Sequence, residues 1–140
     1  MRYFRCMVLL GCISVFVLYA FGSAKNSKFD ESLVNAFKDG NSRELSMYFF
    51  ENIEVKLQGK EDVYSKTQAE AIIKQFFEEY KPNAFQIQDY GSKKSSNYAI
   101  ARLKTQKGNF RVIMRIKGIN SNFFLQSLNI EVDDDRTSKS

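Results

Sequence analysis

From residue 84 onward the chain alternates apolar and polar residues in four runs, about 84–90, 97–105, 109–117 and 123–132, separated by glycine- or serine-bearing turns. A strand with one buried face requires that period of two. Four such runs joined by short turns commit the C-terminal half to antiparallel sheet. The side chains also set a register. With Lys107-Gly108 as a turn, Leu103 faces Val112, Ala101 faces Met114 and Ala99 faces Ile116. With 118–122 as the next turn, Ile116 faces Phe124, Val112 faces Leu128 and Phe110 faces Ile130. Every pair is apolar, and a slip of one residue would send the whole set to solvent. The opposite face carries Arg102, Lys104, Arg111, Arg115 and Lys117, mixed with Tyr98, Ile100, Ile113, Phe123 and Leu125. Lys104 and Arg111 stand directly opposite on this register, an unfavourable pairing of like charges.

Helical spacing precedes the sheet. Phe29, Leu33, Ala36 and Phe37 form one stripe, and Gly40 ends it as a C′ glycine does. Asn41 caps a second short helix with Glu44 three residues on and Leu45, Tyr48 and Phe49 as its apolar stripe. Ile53, Val55 and Leu57 alternate as a strand, closed by Gln58-Gly59-Lys60. The longest helix spans about 66–80. Ser65 and Gln68 make its capping box, Ala69, Ile72, Ile73, Phe76, Phe77 and Tyr80 its apolar face, and Pro82 its stop. The expected class is α+β, helices packed on a curved antiparallel sheet, in the order ααβαββββ.

The first 24 residues read as an address. Arg2 and Arg5 precede an apolar run over 7–21, then Gly22-Ser23-Ala24 and a polar stretch. These are the three parts of a signal peptide, and the run is short for a membrane span of roughly 20 residues. A retained anchor and a lipoprotein box at Leu9-Leu10-Gly11-Cys12 are the competing readings. Only six residues separate Arg5 from Cys12, and the apolar run continues well past it. Cleavage near Ala24 leaves a domain over 25–132 and a solvated tail over 133–140. It removes two of the 21 basic residues and none of the 16 acidic ones, lowering the formal charge from +5 to +3. It also removes Cys6 and Cys12, so the exported chain, periplasmic or secreted, holds together without a disulfide.

Composition excludes whole classes of chemistry. The chain has no His, so Ser-His-Asp and Cys-His catalysis and His-ligated metals are absent. With both Cys in the first twelve residues, no cysteine zinc site is available in the body. A mature charge of +3 without a recognition motif argues against nucleic acid.

The element order, with the stretches GNSRELSMYF (40–49), VYSKTQAEAIIKQFF (63–77), KPNAFQIQDYG (81–91) and YAIARLKTQKGNFRVIMRI (98–116), resembles the nuclear transport factor 2-like, or cystatin-like, superfamily. Within it, these stretches are similar to a branch of small secreted bacterial proteins of unknown function. The resemblance implies a sheet wrapped around helices into a cone with a cavity. In that branch a histidine often occupies the position of Asp89, and this chain departs from it, which removes the basis for carrying over acid–base chemistry. The resemblance brings no cofactor and no reaction.

Two surfaces hold candidate residues. On the inward face, Asp89 shares parity with Phe85 and Ile87, and Gln126 lies opposite Met114, with Tyr64 and Tyr80 as donors nearby. A buried carboxylate has a raised pKa and can act as a base. At the strand end beside Gly91, the same Asp89 is simply wet. On the outward face, Arg102, Arg111 and Arg115 surround Ile113, Phe123 and Leu125. That mixture suits a partner, an anionic glycan or lipid headgroup, or a second copy of the chain. The acidic pairs do not make a glycosidase: Glu78 and Glu79 are helical neighbours and do not face one another, and Glu61-Asp62, in the loop before that helix, would need a carboxylate from elsewhere, and none is marked. Asp133–Asp135 lacks the spaced ligands of a calcium loop. Three readings follow: a non-enzymatic exported module binding a ligand in the cone or a partner on the sheet, a cavity isomerase or dehydratase using Asp89, and a structural homodimer. Ten phenylalanines left after the leader's three favour a filled interior over a reactive one.

The mature protein is expected to begin near Lys25. N-terminal sequencing of envelope-expressed protein checks this. A chain retaining Met1 in the membrane fraction would mean an anchor, and a lipidated Cys12 a lipoprotein.

Overall fold

The computed structural model describes residues 31–93 and 96–134. The leader, its cleavage site, Phe29 and the tail beyond residue 134 lie outside the described residues. Among the described residues, three helices, α1 (Glu31–Asp39), α2 (Ser42–Ser46) and α3 (Lys66–Glu79), accompany six strands. The strands are β1 (Phe49–Leu57), β2 (Lys60–Ser65), β3 (Pro82–Lys93), β4 (Ser96–Thr105), β5 (Gly108–Ile119) and β6 (Asn122–Val132). They form one sheet in the order β2-β1-β6-β5-β4-β3. Neighbours are antiparallel except β1 and β6, which run parallel. The class is α+β, a helical layer on a curved open sheet.

The helix ends follow from their caps. Gly40 takes φ +64° after α1, and Asn41 N–H donates to Ala36 O at 2.9 Å. A side chain at Gly40 would also approach Pro82 to 3.1 Å. Asn41 Oδ1 accepts from Glu44 N–H at 3.1 Å and starts α2. The Ser65–Gln68 capping box of α3 is complete, with Ser65 Oγ and Gln68 Oε1 each accepting a backbone N–H. Two expectations about elements are corrected. The second helix stops at Ser46, and Phe49 opens β1 opposite Leu125 of β6. Residues 60–65, expected as loop, are the edge strand β2, folded back on β1 by Gln58 and Gly59, both at positive φ. Its pattern is nearly all exposed, so it carries no alternation to announce a strand. On β2, Val63 is 62% exposed, and its N–H donates to Asp62 Oδ1 at 2.8 Å.

The inner face is the core. Ala99, Ala101, Leu103, Val112, Met114, Leu128 and Ile130 are fully buried. The register sits two residues away from the expected one: Ala101 pairs with Val112 and Ala99 with Met114, because the turn is Gln106-Lys107. Thr105 Oγ1 fixes that turn, donating to Gly108 O at 2.7 Å and accepting from Lys107 N–H at 3.2 Å. A shift of two keeps every side chain on its face, so the face assignment of these residues stands. On β6 it fails locally. The pairing steps from Arg115–Ser127 to Ile116–Leu125, which leaves Gln126 as a bulge and turns Phe123 and Leu125 inward. Just past β6, Asp133 still contacts the sheet. Asp133 N–H donates to Asn109 O at 2.9 Å, and its carboxylate lies 2.7 Å from Arg102 Nε.

Ala101→Asp should abolish folding, or cost more than about 4 kcal/mol, because it places an unpaired carboxylate in the core. Lys104→Asp, exposed on the same strand, should cost less than about 1 kcal/mol. Urea denaturation of the two variants checks the assignment.

Candidate functional site

Among the described residues, aromatic rings pack into the space between the helices and the sheet. Phe37 stacks on Phe85 with ring centres 4.3 Å apart and meets Phe77 edge-on at 6.3 Å. At the same end of α3, Phe76 meets Phe77 at 5.9 Å and packs with Tyr80 and Phe110 as a triad with centres 4.9–5.1 Å apart. Such pairs add to the energy of burial and leave little space between helices and sheet.

The four residues expected to line a cavity are not brought together. Asp89 follows a register break between Ile87 and Asp89, which leaves Gln88 unpaired and sets Asp89 opposite Ile100 on the outward side, where it is exposed. Its inward assignment is therefore corrected. Gln126 is the half-buried bulge residue and not the partner of Met114, which pairs with Leu128. Tyr64 lies on edge strand β2, at the far side of the sheet from Asp89 on edge strand β3, half-buried against the core. Tyr80 is held in the aromatic triad. One hydroxyl that the sequence did not single out, that of Tyr90, is pushed above its ordinary pKa by desolvation. It stays protonated near neutral pH and is no base there. Among the described residues, no group of three or more His, Cys, Asp or Glu gathers as a metal would need, and no helix is long and apolar enough to cross a membrane.

The outward face has more structure than its composition suggested. Leu125 is fully buried and Phe123 stacks on Tyr48 at 5.5 Å, so neither belongs to this face. The same bulge turns Phe124 toward Phe50, 6.3 Å away, and Lys117 Nζ sits 4.9 Å from the Phe50 ring. Tyr98, Ile100 and Ile113 are half-buried along the middle of the face. Tyr98 pairs with Gly91, and a Cβ at Gly91 would fall 2.2 Å from the tyrosine ring. The glycine is what lets the ring lie across edge strand β3.

The cations on this face have acids beside them. Arg102 stands opposite Arg111, where Lys104 was expected, and Asp133 answers it at 2.7 Å. Arg111 pairs in turn with Glu131, which accepts from Asn129 Nδ2 at 2.7 Å and lies 4.0 Å from Lys56. Arg115 reaches Glu54 at 3.8 Å. The face thus has a basic half on β4 and β5 and a mixed, acid-bearing half on β6, β1 and β2. Between them is a groove of about 460 Å³, whose lining includes Glu54, Glu61, Tyr98, Ile113, Arg115 and Asn129. Among the described residues, no donor reaches the buried Asn129 Oδ1 there. The acids escaped the sequence reading because β1 pairs with β6 across a long connection. Glu54 and Lys56 alternating with Ile53, Val55 and Leu57 were the available signal.

The comparisons with known proteins agree with this geometry. The solved structure of a DUF4783 family protein from Bacteroides ovatus is 28% identical, with a TM-score of 0.71, over 76% of this chain and 97% of that one. A DUF4783 family protein from Bacteroides uniformis is 30% identical, with a TM-score of 0.69, over 75% of this chain and 97% of that one. A domain of unknown function with a cystatin-like fold from Nostoc punctiforme shares the fold at 9% identity, with a TM-score of 0.58, over 74% of this chain and 72% of that one. No curated protein matches. The fold is nuclear transport factor 2-like or cystatin-like. The family model described as a domain of unknown function, DUF4783, matches residues 31–131, and the chain belongs to that family.

Proposed function

We propose that the protein is an exported, non-enzymatic binding module that works through the outer face of its sheet, and that the surface it binds is the same face of a second copy. The observation that carries this reading is the division of charge on that face. Arg102, Arg111 and Arg115 lie on β4 and β5, while Glu54, Glu61 and Glu131 lie on β1, β2 and β6. A two-fold axis through the groove sets the basic half of one copy over the acid-bearing half of the other, the self-complementarity that an isologous dimer needs. Tyr98, Ile100 and Ile113 supply the apolar centre, with the charges at the rim.

An anionic glycan or lipid headgroup is the weaker reading. Glu54, Glu61 and Glu131 share this face and would repel an anion, whereas they match the basic half of a second copy. A small ligand inside the cone is weaker too, because rings from α1, α3, β3 and β5 occupy that space. A cavity isomerase or dehydratase would need Asp89 inside, and it is exposed on the outward side.

Light scattering should show a dimer. Ile113→Glu should dissociate it, and Arg115→Glu should weaken it by roughly tenfold, about 1.4 kcal/mol. Adding Glu54→Arg to Arg115→Glu should restore part of the loss. A monomeric wild type would overturn the reading. A monomer that captures an anionic partner, lost with salt and with Arg115→Glu, would put the anionic reading in its place.

A further inference from the structure

A pocket of about 730 Å³ opens on the helical side of the molecule, away from the outer sheet face. The end of α1, the turn into α2, one side of α3 and the first residue of β3 frame it. Two fixed points give its layout. Ser46 Oγ lies 3.4 Å from Glu70 Oε2, and a Cβ at Gly40 would fall 3.6 Å from that of Phe77. Residues 40–46 therefore run antiparallel to residues 70–77. On that alignment Arg43 comes alongside Lys74, and Asp39 comes alongside Glu78. Glu70, Lys74 and Glu78 recur every fourth residue, so they stand on one side of α3.

The pocket thus sets like charge beside like charge. Two cations flank its middle, and two carboxylates flank it one helical turn further on. Lys81 and Glu70 complete the lining and balance its charge. Among the described residues, none of these six has an ion-pair partner. The floor is apolar: Phe77 is 5% exposed, and Pro82 lies against Gly40. One hydroxyl also lines it. Ser42 is 7% exposed, and among the described residues no hydrogen bond reaches its side chain. A hydroxyl so placed gains from a ligand atom that completes it.

Such a lining describes a ligand that carries both charges at once. Four residues of helix separate the two like-charged pairs by about 6 Å. A single amino acid holds its ammonium and carboxylate on one α-carbon, too close together to meet both pairs. Two residues of extended chain span about 7 Å and match the spacing. We infer that this pocket binds the zwitterionic backbone of a dipeptide. The carboxylate lies between Arg43 and Lys74 and accepts from the Ser42 hydroxyl, the ammonium lies between Asp39 and Glu78, and the ligand's side chains cover Phe77 and Pro82. The site is separate from the outer sheet face and does not depend on pairing of the chain.

Titration calorimetry on the full chain, purified as its host processes it, tests the inference with alanyl-leucine as the probe. A dissociation constant below about 1 mM is expected, rising with salt. N-acetyl-alanyl-leucine lacks the ammonium, alanyl-leucine amide lacks the carboxylate, and leucine has its charges too close. Each should bind at least roughly tenfold more weakly. Lys74→Glu and Glu78→Lys, both exposed on α3, should each weaken alanyl-leucine by roughly tenfold. Ser42→Ala should weaken it by roughly threefold without lowering Tm, because the hydroxyl has no partner within the fold to lose. Lys38→Glu, exposed on α1 outside the pocket, should leave binding unchanged. No binding at about 10 mM alanyl-leucine overturns the inference. So does equal binding of the blocked dipeptides, or binding indifferent to both Lys74→Glu and Glu78→Lys.

Discussion

A six-stranded sheet curls around its helices only if the inner face has enough apolar bulk to close upon. Here that bulk is aromatic, two arms of rings joined where Phe76 meets Phe77 at 5.9 Å. Phe37, Phe77 and Phe85 tie α1 and α3 to edge strand β3, and Phe76, Tyr80 and Phe110 tie the end of α3 to β5. Small residues share the same core: Ala99 and Ala101 on β4 and Ala36 on α1 are wholly buried. Large rings against small side chains let the layers interdigitate. Filling the cone in this way moves the question of function from the interior to the surfaces.

The outer sheet face depends on irregularities in the strands. The break at Gln88 sends Asp89 outward and sets Tyr90 opposite Ala99. The bulge at Gln126 buries Leu125, carries Phe123 to Tyr48, and presents Phe124 and Ser127 to the other side. One extra residue in β6 thus divides its neighbours between the helical side and the floor of the sheet-side groove. Bulges near working surfaces commonly re-aim side chains in this manner.

That division also explains what was legible beforehand. The caps at Asn41 and Ser65, the glycine after α1 and the buried face of β4 and β5 are local patterns, and residues within a few positions determine them. The exact register was not legible, because Ala101 against Met114 and Ala101 against Val112 satisfy the same alternation. The Gln126 bulge was not legible either. Phe123, Phe124 and Leu125 are all apolar, and nothing in their order says which two point inward. For the candidate site, Ile113 and Arg115 were placed correctly from parity. Glu54, Glu61 and Glu131 depend on the parallel pairing of β1 with β6, whose partners lie more than 70 residues apart in the chain.

The small contact at Asp62 has a consequence beyond its own strand. An edge strand offers a row of free amides on which another chain can polymerise, and a sheet with two open edges is a seed for fibres. On β2 the carboxylate of Asp62 occupies the amide of Val63, the most apolar and exposed position of that edge. A strand arriving from outside would have to displace an anion before making its first backbone bond. Growth along the sheet is thereby discouraged, and any encounter between copies is left to side chains on the faces.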